Sequence, residues 1–292
     1  MTYPTATIVD DAFLRAWPLP VTPSDGDKEQ RGHVLILGGS AEMPGAVILA
    51  ATAALRAGAG KLTIATGASV AQLVAMAIPE ARVIGLKENK EGGFTRDATA
   101  SLNPLADRVN AILVGPGMQD ESATAALVRA LLPRLDGTSV ILDACSMGII
   151  LNADLAPQQP SFRFDLPVIV TPHAGEMAHL TGVPKEDIVA APDRHAAQAA
   201  ETWNAVVALK GARTLLASPT GKMWSHEGGN IGLAISGSGD TLAREQVQAE
   251  SREGVLKALD QAATRMRGKL GESLKSIQAF DAPIEKATTS SL

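Results

Sequence analysis

Short runs of apolar residues, most of them followed by a helix-compatible stretch, recur from residue 33 onward and leave this chain few architectures. HVLIL (33–37), LTIAT (62–66), ARVIGL (81–86), AILV (111–114), SVIL (139–142), VIV (168–170) and AVVAL (205–209) have strand length. Helical stretches are predicted over 10–16 and 44–59, from Ser69, and over 121–132, 175–180 and 192–203. Runs that are apolar throughout, rather than alternating, belong to strands buried on both faces. Strands and helices alternating at this spacing predict βαβ units, hence an α/β fold with a central, mostly parallel sheet and helices on both faces. Residues 214–217 and 222–225 flank Pro219-Thr220-Gly221 and predict a β-hairpin.

Composition sharpens this. Aromatic residues make up only 3% of the 292 residues, so the core must be built from Ala, Val, Ile and Leu, which suits helices packed closely on a sheet. The 44–59 helix carries a single charge, Arg56, and is predicted to be buried against the sheet on one side and a second layer or a partner subunit on the other, pointing to a homo-oligomer. A net charge of −5 argues against nucleic acid or an anionic membrane as a partner. One cysteine cannot form an internal disulfide. The opening MTYPTATIVDD lacks the basic start of a signal peptide, so a cytoplasmic protein is expected.

In open parallel sheets ligands bind beyond the carboxyl ends of the strands, and several runs here end in chemically distinctive residues. Gly38-Gly39-Ser40 opens GGSxxMPG, either a tight turn before a helix or a close backbone approach to a ligand. Gly115-Pro116-Gly117 offers the same two readings. Asp143 either caps the segment from Ala144 or orients a metal-bound phosphate. His173, between Thr171-Pro172 and the helix-opening Gly175-Glu176, is a capping or solvated histidine or a ligand contact. Lys210, leading into Gly211, Ala212, Arg213 and Thr214, either starts a solvated hairpin or meets a nucleotide phosphate or ribose. Cys145 is read as structural, and His33, His179, His195 and His226 as structural or exposed; no residue is assigned as a metal ligand.

Residues 231–243, IGLAISGSGDTLA, carry the sharpest chemical signal. Gly237, Ser238 and Gly239 run into Asp240 and the helix-compatible Thr241-Leu242-Ala243. Backbone N–H groups at such a turn have no intrahelical partner and favour a phosphate or a developing oxyanion. Asp240 would be repelled there unless it takes the proton of a hydroxyl that attacks the phosphate, which makes it a candidate base. A plain loop with Asp240 as a helix cap is the alternative.

Taken in order, GGSAEMPGAVILAATAALRAGAGKLTIAT, LVGPGM, ILDA, VTPHAGEM, VALKGARTLLASPTGKMW and GNIGLAISGSGDTLA resemble the ADP/ATP-dependent NAD(P)H-hydrate dehydratases. This resemblance spans residues 33–243 and implies a ribokinase-like three-layer sandwich formed by a domain of residues 1–243. It implies phosphorylation of the hydroxyl of (6S)-hydrated NADH or NADPH by ADP or ATP with Mg2+, followed by loss of phosphate. It also implies that Ala46, Gly117, His173 and Asp240 contact the hydrate. Lys210, Gly211, Ala212, Arg213, Thr214, Gly237, Ser238 and Gly239 would hold the nucleotide, with Asp240 as base.

Two departures stand beside it. DACSM at 143–147 replaces a segment in which the family has a second Asp, and the charged tail 244–292 replaces a strongly apolar helix. Arg244, Glu245, Glu250, Arg252 and Glu253 cannot all reach solvent from a helix clamped in a core, and burying an unpaired charge costs several kcal/mol. The tail is therefore expected to form one or two surface helices, with the site loosely held and activity weak or absent.

A ribokinase-like small-molecule kinase would share the anion turn and the aspartate, although GGSxxMPG and TPHxGE argue against it. An inactive nucleotide-binding protein is supported by the tail alone. Asp240→Asn is expected to preserve nucleotide binding and lower turnover of hydrated NADH by ~10²–10⁴-fold, the scale of a general base. Unchanged turnover would remove Asp240 from that role.

Overall fold

A computed structural model describes residues 5–17, 27–28, 31–151 and 162–227. The 231–243 turn, the tail and the domain boundary at 243 lie outside the described residues. β1 (Thr7–Ile8), β2 (His33–Leu37), β3 (Lys61–Gly67), β4 (Arg82–Leu86), β5 (Ala111–Val114), β6 (Ser139–Leu142), β7 (Val168–Val170), β8 (Val206–Leu209), β9 (Thr214–Ala217) and β10 (Met223–His226) form one sheet. Its order is β1-β10-β9-β8-β7-β6-β5-β2-β3-β4. All pairings from β8 to β4 are parallel. β9 is antiparallel to both neighbours, and β9 with β10 is the expected hairpin, Thr214 opposite His226.

The helices are α1 (Asp11–Ala16), α2 (Pro44–Arg56), α3 (Ala71–Ala77), α4 (Thr99–Ala106), α5 (Glu121–Leu131), α6 (Ala174–Thr181), α7 (Lys185–Ala190) and α8 (Pro192–Trp203). Within β2, alternate residues face opposite layers. Val34 and Ile36 pack with Val47, Ala50 and Ala54 of α2 and Val74 of α3, whereas Leu35 and Leu37 join the core under α4, α5 and α8. Helices thus cover both faces, as the unbroken apolar runs require. Among the described residues α2 is buried on one side only: Ala46, Val47, Ala50, Ala51, Ala53 and Ala54 face inward, while Leu49 is 37% exposed.

From β2 the chain winds outward to β3 and β4, then returns to β5 on the other flank of β2 and continues through β6, β7 and β8. The β2–β5 seam is therefore the point where the winding reverses, the favoured place for a ligand crevice. The ladder continues past the strand ends there. Gly39 N–H donates to the Pro116 carbonyl (2.7 Å), Gly115 to Leu37 (3.0 Å), Asp143 to Val114 (2.9 Å), Thr171 to Leu142 (3.2 Å) and Lys210 to Pro172 (2.8 Å). Those five strand ends consequently lie side by side along one edge.

Several elements were not legible from pattern. β1 contributes two residues, pairing through a register with Trp224 and Ser225 that no local signal specifies. α4 contains Pro104, and α7 buries only Ile188. After Asp143 the chain forms a 3-10 segment, Ala144–Ile150.

Gly115 shows how tightly the seam is built. Its φ is +121°, and a β-carbon there would run into the Asp143 carbonyl oxygen. Gly137 also has positive φ (+76°) but has open space around it. Gly137→Ala is expected to cost about 1–2 kcal/mol from backbone strain alone, and Gly115→Ala about 3 kcal/mol or more from strain plus collision. Urea unfolding of the two variants measures the difference; equal costs would mean the seam yields without resistance.

Candidate active site

The expected hydrate contacts Ala46 and Gly117 meet at the β2–β5 seam. Gly117 has φ +67°, and a β-carbon on it would stand 2.6 Å from the Met43 carbonyl oxygen and 2.8 Å from the Ala46 β-carbon. Only glycine lets the loop lie this close to the start of α2. Met43 occupies the cap position of that 13-residue helix without a side-chain cap bond, so the first-turn amides have no side-chain acceptor there. Such an uncapped terminus carries partial positive charge toward the seam.

Farther along the edge, the Asp143 carboxylate is 2% exposed and makes no capping bond to the 3-10 segment. Its Oδ1 accepts instead from the Thr171 hydroxyl at 2.5 Å and the Lys210 ammonium at 2.9 Å. The capping reading of Asp143 is thereby corrected: burial forces the carboxylate to take the two strongest donors available, and both arrive from neighbouring strand ends. Lys210 Nζ also lies 3.8 Å from Glu176 Oε2. The Lys210 side chain is 13% exposed, so it runs inward along the sheet rather than forming a solvated start to the hairpin.

His173 caps α6. Its Nδ1 accepts from the Gly175 and Glu176 amides at 2.9 and 3.1 Å, and Glu176 Oε2 accepts from the His173 amide at 2.8 Å. An isolated parallel bridge joins His173 to Lys210, which draws both to one point on the edge. The His173 side chain remains 60% exposed.

Beyond β8, Gly211 and Ala212 are exposed, Arg213 forms an ion pair with Asp193 at the start of α8, and Thr214 opens β9. Gly237, Ser238, Gly239 and Asp240 fall outside the described residues. Three residues that matter here were not singled out from sequence: Glu176, Asp193 and Thr171. The Glu three residues after His173 was the available signal of a capping box; the Asp193–Arg213 pair depends on α8 lying beside β9.

A cleft of about 180 Å³ opens beside this cluster, lined among others by Glu121, Cys145, Met147, Glu176, His179 and Leu180. His179 Nε2 lies 3.0 Å from Glu121 Oε2 across it. Ala144, at φ +48°, turns the chain there in a left-handed conformation unusual for a residue with a side chain. Burial pushes the Cys145 thiol from 9.0 up to about 11, against a lowering hydrogen bond with Thr124 and with smaller raising effects of Glu121 and Asp120. Cys145 therefore remains a thiol at neutral pH, in keeping with a structural role.

The sequence profile of the NAD(P)H-hydrate dehydratase family matches residues 34–244. The chain is 48% identical over 243 residues to the ADP-dependent (S)-NAD(P)H-hydrate dehydratase of Xanthomonas campestris, covering 83% of this chain and 80% of that protein. It belongs to the NAD(P)H-hydrate dehydratase family. The crystal structure of the ADP/ATP-dependent NAD(P)H-hydrate dehydratase of Bacillus subtilis, co-crystallised with ATP and Mg2+, superposes with a TM-score of 0.71 at 28% identity, covering 90% of each chain. A ribokinase-like protein of Enterococcus faecalis shares the fold, with a TM-score of 0.74 at 23% identity over 90% of this chain and 89% of that one. The three-layer, ribokinase-like architecture expected from the motifs is the one observed.

In this family member the strand-end edge brings together a close backbone seam, an imidazole edge and a buried cation–carboxylate pair. Among the described residues no cluster of three or more His, Cys, Asp or Glu could hold a metal ion, and Asp143 is already engaged. The pair itself is open to test. Lys210→Met strands a buried carboxylate and is expected to cost about 3–5 kcal/mol. Adding Asp143→Asn should recover part of that loss, with a coupling of at least ~1 kcal/mol in a double-mutant cycle read by urea unfolding. Additive losses would show that the two groups do not depend on each other.

Proposed function

We propose that this protein dehydrates (6S)-hydrated NADH and NADPH, using ADP as the phosphoryl donor. The observation carrying this reading is the placement of Ala46 and Gly117 at the winding-reversal seam, on the same edge as His173 and the start of the β8–β9 hairpin. The identity to the Xanthomonas enzyme supports it.

In this reading the hydrate lies at the seam, beside the Gly117 backbone and Ala46. The nucleotide lies toward Gly211, Ala212, Arg213 and Thr214, with Gly237, Ser238 and Gly239 over its phosphates. Asp240 takes the proton from the hydrate hydroxyl, whose oxygen forms a bond to the terminal phosphorus of ADP as the bond to the AMP oxygen breaks. The backbone amides at 237–239 balance the charge that builds on the transferred group. The phosphorylated carbon then loses phosphate together with the bonding electron pair, and loss of a ring proton restores the dihydronicotinamide.

Mg2+ is proposed to travel with the nucleotide phosphates, needing few protein ligands, and no step above depends on it. No described helix is long and apolar enough to cross a membrane, and the cytoplasm is the proposed location. A homo-oligomer is the proposed form, supported by the exposed apolar side chains Leu49, Leu73 and Met76 on α2 and α3.

Incubating the protein with hydrated NADH and ADP should regenerate NADH absorbance with one AMP per turnover, and sedimentation of the same preparation reads the assembly. A small-molecule kinase would instead consume nucleotide only with another acceptor. No recovery of NADH with either ADP or ATP would overturn the proposal.

A further inference from the structure

We infer that Gly175 and Glu176 are positioning residues that hold His173 as a hydrogen-bond donor through Nε2–H, so that His173 meets an acceptor atom of the bound hydrate and takes no proton from it. The inference rests on the proposed contact between His173 and the hydrate. His173 Nδ1 accepts two backbone N–H groups, from Gly175 at 2.9 Å and Glu176 at 3.1 Å. An imidazole nitrogen that accepts carries no hydrogen, so the ring proton sits on Nε2. Nε2 lies 3.7 Å from Glu176 Oε2, too far for a hydrogen bond. That oxygen is already given to the His173 amide at 2.8 Å and faces the Lys210 ammonium at 3.8 Å. Lys210 in turn is tied to Asp143 at 2.9 Å. Among the described residues, Glu176 Oε2 is thus held by the His173 amide and the nearby Lys210 ammonium and stays beyond hydrogen-bonding reach of Nε2.

Gly175 completes the device. A β-carbon on it would stand 2.9 Å from His173 Cε1 and 3.2 Å from Nδ1, so the ring would have to shift from the position in which it accepts from the amides. Alanine would be the better helix former at this position in the first turn of α6, so the glycine runs against local propensity. The ring lying across the helix terminus supplies the reason.

The test is long-range proton–nitrogen correlation on the full chain labelled with ¹⁵N-histidine, with the His173 signal assigned by its loss in His173→Asn. The unmodified protein should show a protonated Nε2 and a bare Nδ1 for His173. Gly175→Ala and Glu176→Ala should give a mixture of tautomers and raise the KM for hydrate about tenfold, the scale of one lost hydrogen bond. The KM for ADP should not change. Glu176→Gln, which still accepts from the His173 amide, should keep the single tautomer. A protonated Nδ1 in the unmodified protein, or a Gly175→Ala variant that keeps both tautomer and KM, would overturn the inference. Should the protein fail to turn over hydrate, the tautomer still decides this inference, and the functional reading alone falls.

Discussion

A carboxylate buried to 2% exposure has to be satisfied, and Asp143 is satisfied only because two other strand ends reach it. Thr171 comes from the end of β7 and Lys210 from the end of β8, while Asp143 itself follows β6. Leaving that charge unpartnered would cost several kcal/mol, comparable with a domain's net stability. The parallel register and the continuation of the ladder beyond the strands are what make the meeting possible. Drawing Lys210 inward also has a consequence for ligands. Its positive charge is largely balanced within the protein, so an anion bound near the hairpin must rely more on backbone N–H groups than on that ammonium.

The seam beside this cluster depends on small residues rather than charge. With few aromatic residues in the chain, α2 turns an alanine-rich face to the sheet and comes in close. Its start then lies against the 115–117 loop, so that Ala46 and Gly117 are near neighbours. A side chain on Gly117 would collide with the Met43 carbonyl oxygen and the Ala46 β-carbon. Shape at this end of the site is therefore set by what is missing from the side chains.

Strands were legible because burial on both faces demands unbroken apolar runs, and HVLIL and AILV could hardly be anything else in this context. α2, α5 and α8 were equally plain. β1 was not, because Ile8 is 61% exposed and its pairing is set by β10, more than 200 residues away. α4 was hidden by an internal proline, and α7 by a largely polar sequence. In the site, the strand-end motifs lie along one edge of the sheet, and the capping reading of His173 is the one observed, with its side chain still 60% exposed. What the motifs could not disclose was who partners whom. Asp143 with Lys210, and Asp193 with Arg213, are separated by 67 and 20 residues and meet only through the order of the strands.

These pairings narrow the chemistry. Along the described edge, His173 Nδ1 is occupied by two amides, Asp143 by Thr171 and Lys210, Glu121 by His179, Asp193 by Arg213 and Glu42 by Gln119. Each of these groups already holds a donor, and those contacts fix its orientation. A phosphoryl transfer from nucleotide to hydroxyl nevertheless needs a group that accepts the hydroxyl proton as the new bond forms. The described residues therefore supply shape, a donor edge and fixed geometry. The proton acceptor we propose is Asp240, which in the sequence follows Gly237, Ser238 and Gly239 and lies outside the described residues.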